Sequence, residues 1–172
     1  LRQQRRDFTF ESAKVTQYEN SNWASTLTLN RGTSSGVAVN NCVVDEYGAL
    51  VGVVTEVGLN WCTVATVLDT QAQFGATVFR TGEAAVAMGD LSLMSSGKVK
   101  LNYLSGTNPP VGGDLVLTSG LGGYYPSGLV IGSVEEVQKD DSGASSYAVL
   151  VPEADLDSLT EVAVIKSFDI VS

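Results

Sequence analysis

The chain contains no histidine. That absence removes the commonest general base and the commonest metal ligand, so neither a Ser-His-Asp triad nor a histidine metal site can be assembled. Cysteine is scarce as well. Cys42 and Cys62 are the two present, and without histidine or a Cys-x-x-Cys pair they make no metal site. No cofactor or metal is expected. No window approaches the roughly 18 consecutive apolar residues that a membrane-crossing helix needs. The basic LRQQRR is followed by the polar FTFESAKVTQ, not by the apolar core of a signal peptide. Because the first residue is Leu, the expectation is a processed piece of a longer chain, with any anchor upstream.

Positive charge is also in short supply. Ten Lys and Arg face nineteen Asp and Glu, for a net charge of −9. Arg2, Arg5 and Arg6 account for three of the ten, so residues 7–172 carry seven basic against nineteen acidic groups, or −12. Such a surface repels phosphate backbones and anionic lipid, which argues against nucleic acid as a partner.

What the chain does have is alternation and glycine. Hydrophobic residues make up 44% and charged residues only 17%, which excludes a disordered protein. In KVKLNYL, Val99, Leu101 and Tyr103 point one way while Lys98, Lys100 and Asn102 point the other, as in a half-buried antiparallel strand. Near-continuous apolar stretches at 50–54, 64–68, 115–117, 129–131, 147–151 and 162–165 predict strands covered on both faces. Turn signals such as Asn30-Arg31-Gly32, Tyr47-Gly48 and Asn108-Pro109-Pro110 separate them. The fold expected is all-β, two small antiparallel β-barrel or sandwich subdomains in tandem. The small-residue run Gly82–Gly97 places a boundary near residue 84, giving subdomains at 11–84 and 85–172. A discontinuous arrangement, with the C-terminal strands returning to the first unit, satisfies the same pattern. Pro152–Leu159 is the one helical candidate, with Leu156 and Leu159 three apart.

Reactive constellations are weak. Ser119 sits in Thr118-Ser119-Gly120-Leu121-Gly122-Gly123, which superficially resembles a nucleophile loop. Its base would have to be Lys14, Lys98, Lys100, Lys139 or Lys166, none at a diagnostic spacing. The paired acids Asp45-Glu46, Glu135-Glu136 and Asp140-Asp141 fall at turns or on polar faces. The cysteines read either as two small buried hydrophobes or as a disulfide across one hairpin. The loop Gly122-Gly123-Tyr124-Tyr125-Pro126-Ser127-Gly128 is more informative. Two adjacent tyrosines before a proline cannot both enter a core, so Tyr124, Tyr125 and Pro126 are the candidate partner-binding residues, with packing between the two units as the other reading.

Ordered segments now give a family likeness. Leu29-Asn30-Arg31-Gly32, Gly48 through Gly58, Val64 through Asp69, Arg80-Thr81-Gly82, Val111 through Gly132 and Val151 through Leu156 together resemble the MreC family of cell shape-determining proteins. The resemblance implies two β-barrels shaped like a catalytically inert chymotrypsin-like double barrel. It further implies residues 1–10 as the end of an upstream coiled coil, behind a membrane anchor outside this chain, on the extracytoplasmic face of the cytoplasmic membrane. The implied function is a non-enzymatic scaffold of the rod-elongation complex that organises peptidoglycan synthesis. The implied partners are class B penicillin-binding proteins, MreD and further copies of itself, as a dimer or filament. Two rivals stand beside it: a cell-wall carbohydrate module stacking sugars on Tyr124, Tyr125, Trp23 or Trp61, and a Ser-Lys hydrolase using Ser119.

Overall fold

Strand alternation closes into two six-stranded antiparallel barrels in the computed structural model of the chain. The structure describes residues 9–103, 108–121, 123, 125–139 and 146–168. The first barrel takes β1 (Thr9–Asn20), β2 (Ser25–Leu29), β3 (Cys42–Val44), β4 (Leu50–Val57) and β5 (Cys62–Thr66). The second takes β6 (Gln73–Val78), β7 (Ala84–Met88), β8 (Val99–Tyr103), β9 (Leu115–Thr118), β10 (Val130–Lys139) and β11 (Ser146–Pro152). The last strand, β12 (Glu161–Ser167), returns to the first barrel and pairs with both β1 and β3. One short helix, α1 (Leu91–Met94), links β7 to β8.

The chain passes between barrels at residues 67–72. The small-residue run near residue 84, where composition places a boundary, lies in the β6–β7 hairpin, and Ala85 and Ala87 point into the second barrel. A buried carboxylate fixes the crossover. Asp69 accepts hydrogen bonds from the backbone N–H groups of Ser25 (2.8 Å) and Gln71 (2.8 Å), and the Ser25 and Thr66 hydroxyls are 2.7 Å apart. Pro152–Leu159 is not helical. Pro152 ends β11 opposite Gly132, and the following residues form a turn closed by Ser158 N–H donating to the Asp155 carbonyl.

The continuous apolar runs have their explanation in β3 and β4. Val43, Val51 and Val54 fill the first barrel, while Cys42, Val44, Leu50 and Val53 belong to a cluster that continues through the second barrel to Phe74, Leu101 and Leu150. A bulge at Val51, between the partners of Val43 and Val44, resets the alternation. The cysteines therefore occupy different cores: Cys42 lies in the shared cluster and Cys62 inside the first barrel. Both thiols are free, so the hydrophobe reading holds and the disulfide reading does not.

The two barrels repeat one another in detail. Gly48-Ala49-Leu50-Val51-Gly52-Val53-Val54-Thr55-Glu56-Val57 matches Gly128-Leu129-Val130-Ile131-Gly132-Ser133-Val134-Glu135-Glu136-Val137. Gly48 and Gly128 have φ of 85° and 83°. The β4–β5 register slips between Val54 and Glu56, and the β10–β11 register slips between Val134 and Glu136. Asp45 and Thr118 exchange backbone and side-chain hydrogen bonds with Ala49 and Leu129 in the same way. Strand order also corresponds once β12 is matched with β6.

Gly52 and Gly132 mark the corner where each sheet turns. A Cβ on Gly52 would lie 2.0 Å from the Ala65 carbonyl oxygen, and one on Gly132 would lie 2.1 Å from that of Val151. Gly52→Ala and Gly132→Ala should each destabilise by about 1–3 kcal/mol or more through forced backbone separation. Gly112→Ala, whose Cβ would sit 3.4 Å from its nearest neighbour, should be close to neutral, and urea unfolding titrations of the three variants check the difference. Burial pushes the Cys62 thiol up to about 11 and the Cys42 thiol higher still. Neither should react with a disulfide reagent at neutral pH until denaturant is added, and a reductant should leave the melting temperature unchanged.

Candidate partner surfaces

The β9–β10 connection carries the sequence-selected aromatics. Tyr124 lies outside the described residues. Tyr125 is half-buried, its ring 4.9 Å from that of Phe74 and tilted by 55°. Burial, with a smaller contribution from nearby Cys42, raises its phenol above the ordinary value. Tyr125 thus stands where the second barrel meets β3 of the first. Pro126 is buried, and its carbonyl accepts from the Thr118 hydroxyl at 2.7 Å. Leu121, in the same loop, is 69% exposed.

Ser119 is held by its surroundings. Its N–H donates to Gly75, and its hydroxyl accepts from the Leu121 N–H at 3.3 Å. Lys98, Lys100 and Lys166 lie 2.9, 3.7 and 3.2 Å from Glu135, Asp90 and Glu11. No hydrogen bond joins Ser119 to a lysine among the described residues. No group of His, Cys, Asp and Glu able to hold a metal forms among them either. The indole of Trp61 lies against Gly58, and Trp23 projects from the β1–β2 turn, 70% exposed.

A stronger surface signal comes from the second barrel, and residue-type reasoning did not pick it out. Phe79 is 68% exposed, and its N–H donates to the Leu115 carbonyl. Register carries the row onward from Leu115 to Ser133 and from Ser133 to Val151. Antiparallel partners project to one side, so these side chains share the outer face. Beside the row, Asp114 accepts both Arg80 Nε (2.7 Å) and Nη2 (3.0 Å), together with the Val111 N–H (2.9 Å). That clamp fixes the turn from which Val111 projects, half exposed. The readable signal was Val-Phe-Arg at 78–80: strand alternation that buries Val78 must turn Phe79 outward.

Two closed six-stranded antiparallel barrels in tandem, with apolar side chains exposed at strand ends, define the chain as an all-β double-barrel module. The particular lineage follows from comparison. The chain belongs to the MreC family: the family model for the barrel core of rod shape-determining protein MreC matches residues 15–166. It is 34% identical over 151 residues to the cell shape-determining protein MreC of Bacillus subtilis, covering 84% of this chain and 52% of that relative. It thus spans about half the length of that protein. The solved Listeria monocytogenes MreC superposes with a TM-score of 0.83 at 29% identity, covering 97% of this chain and 80% of the other. A complex between Penicillin-Binding Protein (PBP2) and MreC from Helicobacter pylori contains a chain sharing the fold, with a TM-score of 0.68 at 16% identity over 93% of this chain and 99% of that one.

The Arg80 guanidinium, hydrogen-bonded to Asp114, holds that carboxyl below the ordinary carboxylate value. Its native pKa is lower than its unfolded one, so the clamp stabilises fully above the unfolded value and fades as pH falls through the native value. Asp114→Asn should lower the melting temperature at neutral pH. The gap to the parent should narrow as acid titrations pass below about pH 4, near the unfolded Asp value.

Proposed function

We propose that this chain is the extracytoplasmic barrel region of a scaffold in the cell-elongation complex, which holds peptidoglycan synthases in place without chemistry of its own. Family membership carries the reading. The physical support is a chain without histidine whose main features are regular strand registers, corner glycines and exposed apolar side chains. Exposed apolar rows bind other proteins because covering them removes surface from water.

The partners in this reading are a class B penicillin-binding protein first, then MreD and further copies of the chain as a dimer or filament. The Helicobacter pylori complex supports the choice of the first. The β9–β10 loop is a second contact in the proposal. There Tyr124 and Pro126 flank Tyr125, which offers a partner only the part of its ring that Phe74 leaves open. Among the described residues no helix is long and apolar enough to cross a membrane, and the proposal places the anchor and coiled coil outside this chain.

Biolayer interferometry with the immobilised extracytoplasmic domain of the cognate class B penicillin-binding protein tests the reading. Saturable binding is expected. No binding to that domain, together with co-sedimentation with purified peptidoglycan that Trp23→Ala and Trp61→Ala abolish, would replace the scaffold by the carbohydrate module.

A further inference from the structure

A cleft of about 450 Å³ opens where the two barrels meet, between the β1–β2 turn, the segment after α1 and the β11–β12 connection. That volume, at a boundary between two folded units, is typical of small-ligand sites. In a chain of net charge −9 its lining is close to neutral. Asn20, Asn22, Ser95 and Ser96 bring amides and hydroxyls, and Asp157 is the one ionised group among the described residues that line it. Hydrogen bonds within each wall hold its shape. The Ser21 hydroxyl accepts from the Ala24 N–H at 3.1 Å and fixes the β1–β2 turn. On the facing wall the Ser96 and Gly97 N–H groups donate to the Leu93 and Met94 carbonyls. Among the described residues the side chains of Asn20, Asn22, Ser95 and Ser96 have no hydrogen-bond partner, so their donors and acceptors are unspent. Trp23, between the lining residues Asn22 and Ala24, stands beside them with 70% of its surface exposed.

We propose that this cleft between the barrels binds a neutral oligosaccharide, whose hydroxyls meet Asn20, Asn22, Ser95 and Ser96 while one sugar face packs on Trp23. The inference adds a ligand to the scaffold and does not depend on its protein partner. The lining narrows the class of ligand. A phosphate or carboxylate would meet Asp157 and no balancing cation, because no lysine or arginine lines the cleft among the described residues. A metal ion would find a single carboxylate, too few ligands to hold it. An apolar ligand would cut four amide and hydroxyl side chains off from water with nothing to replace it. The ligand that fits is uncharged and rich in groups that both donate and accept. Sugar hydroxyls do both, and so do the serine hydroxyls and asparagine amides that would receive them. The exposed indole supplies the second half of the recognition, a flat apolar surface for the C–H face of a pyranose ring. The turn that carries Asn22 and Trp23 is also anchored before any ligand arrives, through the Ser25 N–H donating to buried Asp69 at 2.8 Å. That anchoring lowers the ordering cost of binding.

The test is an NMR titration of the nitrogen-15-labelled chain with chitotetraose, an uncharged N-acetylglucosamine tetramer, and with maltotetraose. The signals followed are the backbone amides of residues 20–25 and 94–97 and the Trp23 indole N–H. The parent is compared with Trp23→Ala, with Asn22→Ala/Ser96→Ala and with the control Trp61→Phe, and thermal melting is run on each. Asn22, Trp23 and Ser96 are exposed, so the cleft variants should melt like the parent. The expected result is a saturable shift of the cleft signals by at least one tetramer, with a dissociation constant of about 1 mM or tighter. Trp23→Ala and the double variant should each weaken it by about fivefold or more, and Trp61→Phe should leave it unchanged. No saturable shift with either tetramer would overturn the proposal, as would shifts centred on Trp61 or binding that the cleft variants leave intact. A neutral peptide, acetyl-tetraalanine amide, that moves the same signals when neither sugar does would make a peptide the occupant and overturn it too. Binding of the parent to the penicillin-binding domain, measured in parallel, reports on the scaffold reading alone, so the two readings fail separately.

Discussion

Each six-stranded barrel contains a place where neighbouring backbones approach more closely than a side chain permits. Gly52 and Gly132 stand there at matching positions, each directed at a carbonyl of the next strand. The bulges beside them follow from the same bend: strands coiled this sharply slip register, and both barrels slip at matching places. From those corners come the strand directions that send Val53 and Cys42 toward one neighbour and Phe79 and Leu115 toward solvent. The closed form also leaves no long sheet edge, so partners must meet side chains rather than a free strand.

One sheet in the first barrel works on both faces. β3 to β5 line their own barrel and also the boundary with the second, so their sequences are mostly apolar, with Thr55, Glu56, Thr63 and Thr66 as the polar positions. The outer strands have a single buried side. In β1 only Ala13 is fully buried, and the remainder is polar or half-exposed. That contrast gives the joint between the barrels the character of an interior.

Much of the fold was legible because alternation and glycine placement are local signals. The half-buried β8, the doubly covered β4 and the all-β class could be read directly. Topology was less accessible. Nothing in residues 161–167 states that they pair with both β1 and β3, because pairing depends on which edges the rest of the chain leaves open. The Pro152–Leu159 segment had helical spacing, yet Pro152 was committed to β11 by its pairing with Gly132. At the surface, the loop with two tyrosines stands out by composition, yet Tyr125 packs its ring at a tilt against Phe74. The exposed row was harder to see because its members are distant in sequence and only register assembles them. The internal repeat was visible in principle, as Gly-x-x-x-Gly-x-Val-x-Glu-Val occurring twice.

The return of β12 has a consequence for biogenesis. A ribosome or translocon releases the N-terminal strands first, yet the first barrel lacks its sixth strand until Glu161–Ser167 has emerged. The second barrel, built from the contiguous strands β6 to β11, has every component available earlier. Order of synthesis and order of completion are thus inverted: the second barrel has all its strands before the first has its last. Until then β1 and β3 carry unsatisfied hydrogen-bonding edges, so the nascent chain is most vulnerable to misassembly during the interval before β12 appears.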